Sequence, residues 1–276
     1  VRNVRRLLKL TIKSIFGHRL ADLWRSYEEE LEYFLEKIKS DLSRLPDKMA
    51  DKKELFAHFN TDGSKPPIFW CFNNWTEAVF LAFQLGPDQP LYAMHSLYSI
   101  TEEEAKKSLH TKRLAEIYGD LLCDLYPQGK VLIGGNCQAV GIAEGMAHYL
   151  LGKRGQAPML ISLESQPYYA YPGDVLLLFG DHDEARFNPF LNSESPMTRW
   201  QNKHKHVLWG TITGSHGEYF REPGVHQLCK FINYSANHFL HGTQCRAGEL
   251  VFETQSNKLS LNTHNSSENN KLSTPQ

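Results

Sequence analysis

Five short apolar runs punctuate the chain. They are Pro67-Ile68-Phe69-Trp70-Cys71-Phe72, Val131-Leu132-Ile133-Gly134-Gly135, Met159-Leu160-Ile161-Ser162-Leu163, Val175-Leu176-Leu177-Leu178-Phe179 and Val207-Leu208-Trp209-Gly210-Thr211-Ile212. None alternates apolar with polar, so each reads as a strand covered on both faces. Amphipathic stretches at 114–125, 140–151 and 225–231 separate them. In the last, Val225, Leu228, Cys229 and Ile232 share one helical face. Strands alternating with helices predict an α/β architecture around a mostly parallel sheet with helices on both faces.

Upstream the period is helical throughout. Val4, Leu7, Leu8, Ile12, Ile15, Phe16, Leu20 and Leu23 recur among Arg2, Arg5, Arg6, Lys9 and Lys13, and Leu31, Phe34, Leu35 and Ile38 recur among Glu28, Glu29, Glu30, Glu32 and Glu36. Residues 1–45 are therefore expected to be an amphipathic helical extension packed on the main body, with attachment of its basic turns to a membrane surface as the weaker reading. Residues 46–66 carry Pro46, Asp62-Gly63-Ser64 and Lys65-Pro66 and read as a linker. Residues 67–240 hold the α/β unit. The Ser/Asn-rich stretch 257–276 is expected to be a disordered tail.

Composition narrows the function classes. With 276 residues, 41% of them hydrophobic, the chain supports one sizeable core plus extensions. A net charge of −1 gives no electrostatic drive toward nucleic acid, and no apolar run approaches the length of a membrane span. The five cysteines are odd in number and lack zinc-type spacing; Cys71, Cys123 and Cys229 fall in apolar segments. That usage suits a reducing, cytoplasmic compartment, and no metal or bound cofactor is expected. Valine as first residue fits a domain taken from a longer protein.

The chemistry concentrates at Gly135-Asn136-Cys137-Gln138-Ala139, where a strand runs into a helix. Small residues two before and two after a nucleophile let strand and helix approach closely around a sharp corner, the geometry of a nucleophile elbow. Cys137 then sits at a helix start, where free N–H groups favour a thiolate and, later, an oxyanion. An elbow calls for a histidine beyond a late strand, and Gly214-Ser215-His216-Gly217 follows the run ending at Ile212. Two residues compete as the acid that orients His216: Glu164, just after the 159–163 strand, and Asp183 in Gly180-Asp181-His182-Asp183, with Glu164 preferred.

These segments resemble the thioesterase domains of nonribosomal peptide and polyketide synthases, members of the α/β-hydrolase superfamily. The likeness runs over about residues 66–234. It includes the opening strand with Asn73-Asn74-Trp75, then Leu85-Gly86-Pro87-Asp88-Gln89-Pro90-Leu91-Tyr92, the elbow, Tyr171-Pro172-Gly173, Trp200 and the loop from Gly214 to Pro223. It implies a thioesterase or acyltransferase acting on an acyl or peptidyl chain held on the phosphopantetheine arm of a carrier protein. The backbone N–H groups of Asn74 and Gln138 would form the oxyanion hole. Asn73 and Trp75 would line the substrate mouth.

Three departures from the family set further expectations. Cysteine replaces serine as nucleophile. Asn73-Asn74 replaces the family's Gly-rich oxyanion loop. The helical lid has no room between the 159–163 and 175–179 strands, so it is expected to be reduced or displaced to the N-terminal helices. Two other functions fit parts of the pattern: acyl transfer of the polyhydroxyalkanoate-synthase type, which also uses Gly-x-Cys elbows, and a non-catalytic scaffold with a decayed site.

Overall fold

The computed structural model describes residues 27–47, 50–182, 188–189, 200, 202–242 and 248–249. The basic first part of the N-terminal extension, residues 1–26, and the 257–276 tail lie outside these residues.

Helix α1 (Tyr27–Ser43) leads into strands β1 (Asp51–Lys53) and β2 (Phe56–Phe59). Then come β3 (Ile68–Phe72), α2 (Trp75–Leu85), β4 (Leu91–His95), α3 (Glu104–Leu125) and β5 (Leu132–Asn136). A 3₁₀ turn, Cys137–Ala139, continues into α4 (Val140–Arg154). The chain closes with β6 (Met159–Leu163), β7 (Tyr171–Gly180), β8 (His204–Ile212), α5 (Gly224–His241) and β9 (Gly248–Glu249). The nine strands form one sheet in the order β1-β2-β4-β3-β5-β6-β7-β8-β9. Pairings β1·β2 and β2·β4 are antiparallel and the rest are parallel. This is the α/β-hydrolase arrangement.

The continuous apolar runs follow from a sheet covered on both faces. Along β3, Ile68, Trp70 and Phe72 enter one core with Ala78 and Leu81 of α2 and Leu228 and Ile232 of α5. Phe69 and Cys71 enter the other, with Phe34 and Ile38 of α1, Leu114 and Tyr118 of α3, and Ala143 and Met146 of α4. Alternate side chains thus serve opposite layers, and no position on the strand is left for water.

One expectation needs correction. Residues 46–66 are not simply a linker: β1 and β2 lie within them, and Ala57, His58 and Phe59 pair with Ala93, Tyr92 and Leu91. Their apolar content, Leu55-Phe56-Ala57 with Phe59, is too short to carry a periodicity, so the turn residues around it dominated the reading. The sheet accordingly begins at Asp51 rather than near residue 67.

The β6–β7 connection also resolves. Leu163 pairs with Leu178, so the chain must return along the sheet to Tyr171, roughly 23 Å at about 3.3 Å per residue. The chain from Leu163 to Tyr171 reaches at most about 28 Å when extended. A helix cannot fit; a nearly straight crossover does. Glu144 of α4, itself buried, accepts hydrogen bonds from the backbone N–H groups of Tyr168 (2.8 Å) and Tyr169 (2.6 Å) and fastens it. Trp200 Nε1 donates to Gln166 Oε1 at 3.0 Å, and Lys203 donates to the carbonyl of Pro167. Between β6 and β7 there is thus one extended strap and no helix.

Of the N-terminal extension, α1 is described and packs on the body. His110 of α3 is fully buried, and its Nε2 lies 2.8 Å from Glu30 Oε2. Tyr27 stacks on the same ring at 4.4 Å.

Candidate active site

Cys137 stands at the carboxyl end of β5 with φ +50°. L-residues adopt that region at a cost of about 1–3 kcal/mol, so the surrounding packing must enforce it. Gly135 shows how: a Cβ there would lie 2.9 Å from the carbonyl oxygen of Ala139 and 3.0 Å from the Ala143 methyl. Only glycine lets helix α4 turn back this tightly over its own strand.

Cys137 Sγ lies 3.7 Å from His216 Nε2, and His216 Nδ1 lies 3.2 Å from Glu164 Oε1. Glu164 also has positive φ, +63°, which turns its carboxylate from the end of β6 toward the histidine loop. That oxygen accepts the Gly217 N–H at 2.9 Å as well, so the acid holds both the ring and the loop carrying it. Its side chain is 2% exposed, against 36% for His216. The histidine loop has further clamps. Asp181 Oδ1 accepts the Gly214 N–H (2.9 Å) and Gln227 Oε1 accepts the Thr213 N–H (2.6 Å). Asp183, the competing acid, lies outside the described residues.

Among the described residues this is the one group of histidine, cysteine and carboxylate side chains close enough to share a metal, with donor atoms within 4.8 Å of one another. The sulfur and the carboxylate face different ring nitrogens. Through these two contacts the carboxylate orients the ring while the other ring nitrogen faces the thiol.

The facing loop departs from expectation. Asn74 caps α2: its Oδ1 accepts the Glu77 N–H at 3.1 Å and its Nδ2 donates to Glu77 Oε1 at 2.9 Å. Glu77 Oε2 accepts the Asn73 N–H (3.1 Å) and Asn136 Nδ2 (3.2 Å). Burial pushes the Glu77 carboxyl above its usual range, and the Asn73 and Asn74 N–H groups and Asn136 amide oppose the shift. The Asn74 side chain is therefore held by Glu77 at the start of α2. Gln138 lies one residue after Cys137 in the first turn, where N–H groups lack intrahelical acceptors.

Asn73 and Trp75 differ in placement. Asn73 is buried: its Nδ2 donates to the Asn136 carbonyl (3.2 Å) and its Oδ1 accepts from Ser96 Oγ (2.7 Å). Trp75 packs beside His95 at 5.2 Å and lines a pocket of about 600 Å³ shared with Tyr33, Lys37 and Arg44. Side-chain amides that look ready for substrate are held by local partners. Glu77, Asn136 and Glu144 were not singled out in the sequence, although Asn74-Trp75-Thr76-Glu77 has the spacing of a capping box.

The sheet has the α/β-hydrolase fold, and its strand–helix corner carries cysteine. No protein-family model matches the chain, and no curated protein matches it. Among solved structures it is similar to the NocB thioesterase domain from the nocardicin cluster. The TM-score is 0.53 at 14% identity, over 67% of this chain and 100% of that one. The covalent complex of that domain with a fluorophosphonate nocardicin G analogue gives 0.50 at 14% identity, over 65% and 98%. The chain thus has the fold of a thioesterase domain. Among the described residues no helix is long and apolar enough to cross a membrane.

Proposed function

We propose that the protein cleaves the thioester of an acyl or peptidyl chain carried on a phosphopantetheine arm, by way of an acyl-S-Cys137 intermediate. The observation that carries this reading is the continuous line from Sγ through the His216 ring to the Glu164 carboxylate, built at a strained strand–helix corner.

In this mechanism His216 Nε2 takes the thiol proton and Glu164 stabilises the imidazolium through Nδ1–H. The thiolate attacks the thioester carbonyl, and the Gln138 N–H meets the oxygen as it becomes negative. Collapse expels the carrier thiol, which recovers its proton from His216. The acyl-enzyme is itself a thioester and keeps the activation of the original carbonyl. Release therefore proceeds to water, to a nucleophile within the chain or to an external amine. A carrier protein is the partner this substrate implies, and the fold shared with a thioesterase domain supports that assignment.

The test is covalent trapping. Incubation with an acyl N-acetylcysteamine thioester should leave one acyl group on the Cys137 peptide and none in Cys137→Ala. An adduct confined to another residue contradicts the mechanism. No turnover and no adduct favours the scaffold reading instead.

A further inference from the structure

A groove of about 910 Å³ runs between α3 and α4 and starts at the elbow, with Gln138 and Gly141 in its wall. We propose that this groove seats the chain attached to the thioester carbonyl, and that it selects a chain bearing amide or hydroxyl groups over a hydrocarbon of equal length. The inference rests on the acyl-S-Cys137 reading.

Position is the first argument. Gln138 and Gly141 are the near neighbours of Cys137 along the elbow helix, so a chain leaving the reacting carbonyl on this side enters the groove at once. Gly141 opens the entrance. A Cβ there would make only ordinary contacts, 3.5 Å from Thr111 Cγ2 and 3.8 Å from Tyr168 Cε2. A longer side chain would project into the space between α3 and the strap.

Pre-organisation is the second. One wall is the strap bearing Tyr168 and Tyr169, 70% and 69% exposed, two adjacent aromatic side chains presented to the groove. The buried Glu144 carboxylate holds their backbone N–H groups, and His148 packs edge-on to Tyr169. Across the groove, the Lys107 ammonium lies 3.4 Å from Gln138 Oε1 and 5.1 Å from the Tyr98 ring centre.

Chemistry is the third. Besides the aromatic strap, the lining carries hydrogen-bonding groups on Lys107, Ser108, Lys112 and Gln138. A hydrocarbon laid against them would displace their water and return no hydrogen bond. A chain with carbonyls and N–H groups would replace that water, while its apolar parts lie on the tyrosine rings. Along α3 from Lys107 to Glu116 the groove is roughly 13 Å long, the reach of about four residues of extended chain.

The experiment compares acetyl, octanoyl and N-acetyl-dialanyl thioesters of N-acetylcysteamine on the whole chain, wild type and Gly141→Leu. The wild type should prefer the dialanyl over the octanoyl chain in kcat/KM by about tenfold. Gly141→Leu should lower dialanyl kcat/KM by about tenfold or more and leave acetyl within about threefold. Should Gly141→Leu fold poorly, Tyr168→Ala on the exposed strap should raise KM for the dialanyl substrate with kcat unchanged. Octanoyl preference in the wild type, equal losses for acetyl and dialanyl in a folded Gly141→Leu, or an unchanged dialanyl KM in Tyr168→Ala would each overturn the proposal. So would a Gly141→Leu penalty that appears only when pantetheine replaces N-acetylcysteamine, since the groove would then hold the thiol arm. If no thioester acylates Cys137 in the wild type, the catalytic reading itself has failed. If all three acylate it at rates indifferent to chain and to Gly141, the groove assignment alone has failed.

Discussion

The loop that carries Cys137 and the loop that faces it close the same site by opposite means. On the first side two residues sit in strained backbone, Cys137 at the elbow and Glu164 just after β6, and both side chains turn toward a half-exposed histidine. The second is relaxed and locally satisfied: Asn73, Asn74, Asn136 and Glu77 hydrogen-bond one another between the end of β3 and the elbow. One loop spends stability on reactivity, and the other supplies the rigidity that makes the strain tolerable. This fits the general pattern in which strained residues persist only where their surroundings over-determine them.

That contrast ranks the expected effects of mutation. On the reactive side, His216→Ala should lower kcat by about 10²–10⁴-fold, the usual contribution of a positioned general base. It should also slow alkylation of Cys137 near neutral pH. A loss below about tenfold in kcat would show that the thiolate forms without the histidine. Glu164→Gln should cost about ten- to a hundredfold, less than the ~10⁴ typical of a serine triad, because a thiol ionises more readily than a hydroxyl. A larger loss in Asp183→Asn than in Glu164→Gln would transfer the acid role to the 180–183 loop.

On the supporting side the expected effect is on stability. Glu77→Ala leaves the Asn73 N–H and the Asn136 amide without their acceptor and should destabilise the fold by about 1–3 kcal/mol in chemical denaturation. If stability is unchanged, the network does not support the elbow.

The smallest effect at neutral pH lies far from both loops. His204 is buried, neither of its ring nitrogens has a hydrogen-bond partner among the described residues, and burial first, then Lys203 and His148, push its pKa from 6.5 to about 4. Since the unfolded chain takes up this proton first, its contribution is complete above pH 6.5. It is lost as pH falls from there toward about 4. His204→Phe should flatten that part of a stability–pH curve and leave activity unchanged. An equally steep acid loss in the variant would assign it to other groups.

The two loops also differ in how far they could be read from the chain. Gly135, Cys137, Ala139 and His216 announce themselves because an elbow constrains residue type at fixed spacing, and Glu164 because it ends a legible strand. The oxyanion donors were legible only in part. A backbone N–H has no sequence signature, and the Asn74 side chain is taken up by Glu77, one helical turn away. The β6–β7 strap was legible as a gap too short for a helix. What fastens it was not, because Glu144 sits on a helix whose pattern says nothing of a partner more than twenty positions on. The β1–β2 pair was missed because strands of three and four residues carry too little pattern to be seen among turn residues.

The central claim is that Cys137 receives the acyl group. Rapid mixing with an acyl N-acetylcysteamine thioester, quenching and peptide mass mapping would test it most directly. The account predicts one acyl group per chain on the Cys137 peptide, formed no more slowly than turnover and absent in Cys137→Ala, which should fold like the wild type. Turnover that persists in Cys137→Ala, or an adduct that forms only on another residue, would contradict it.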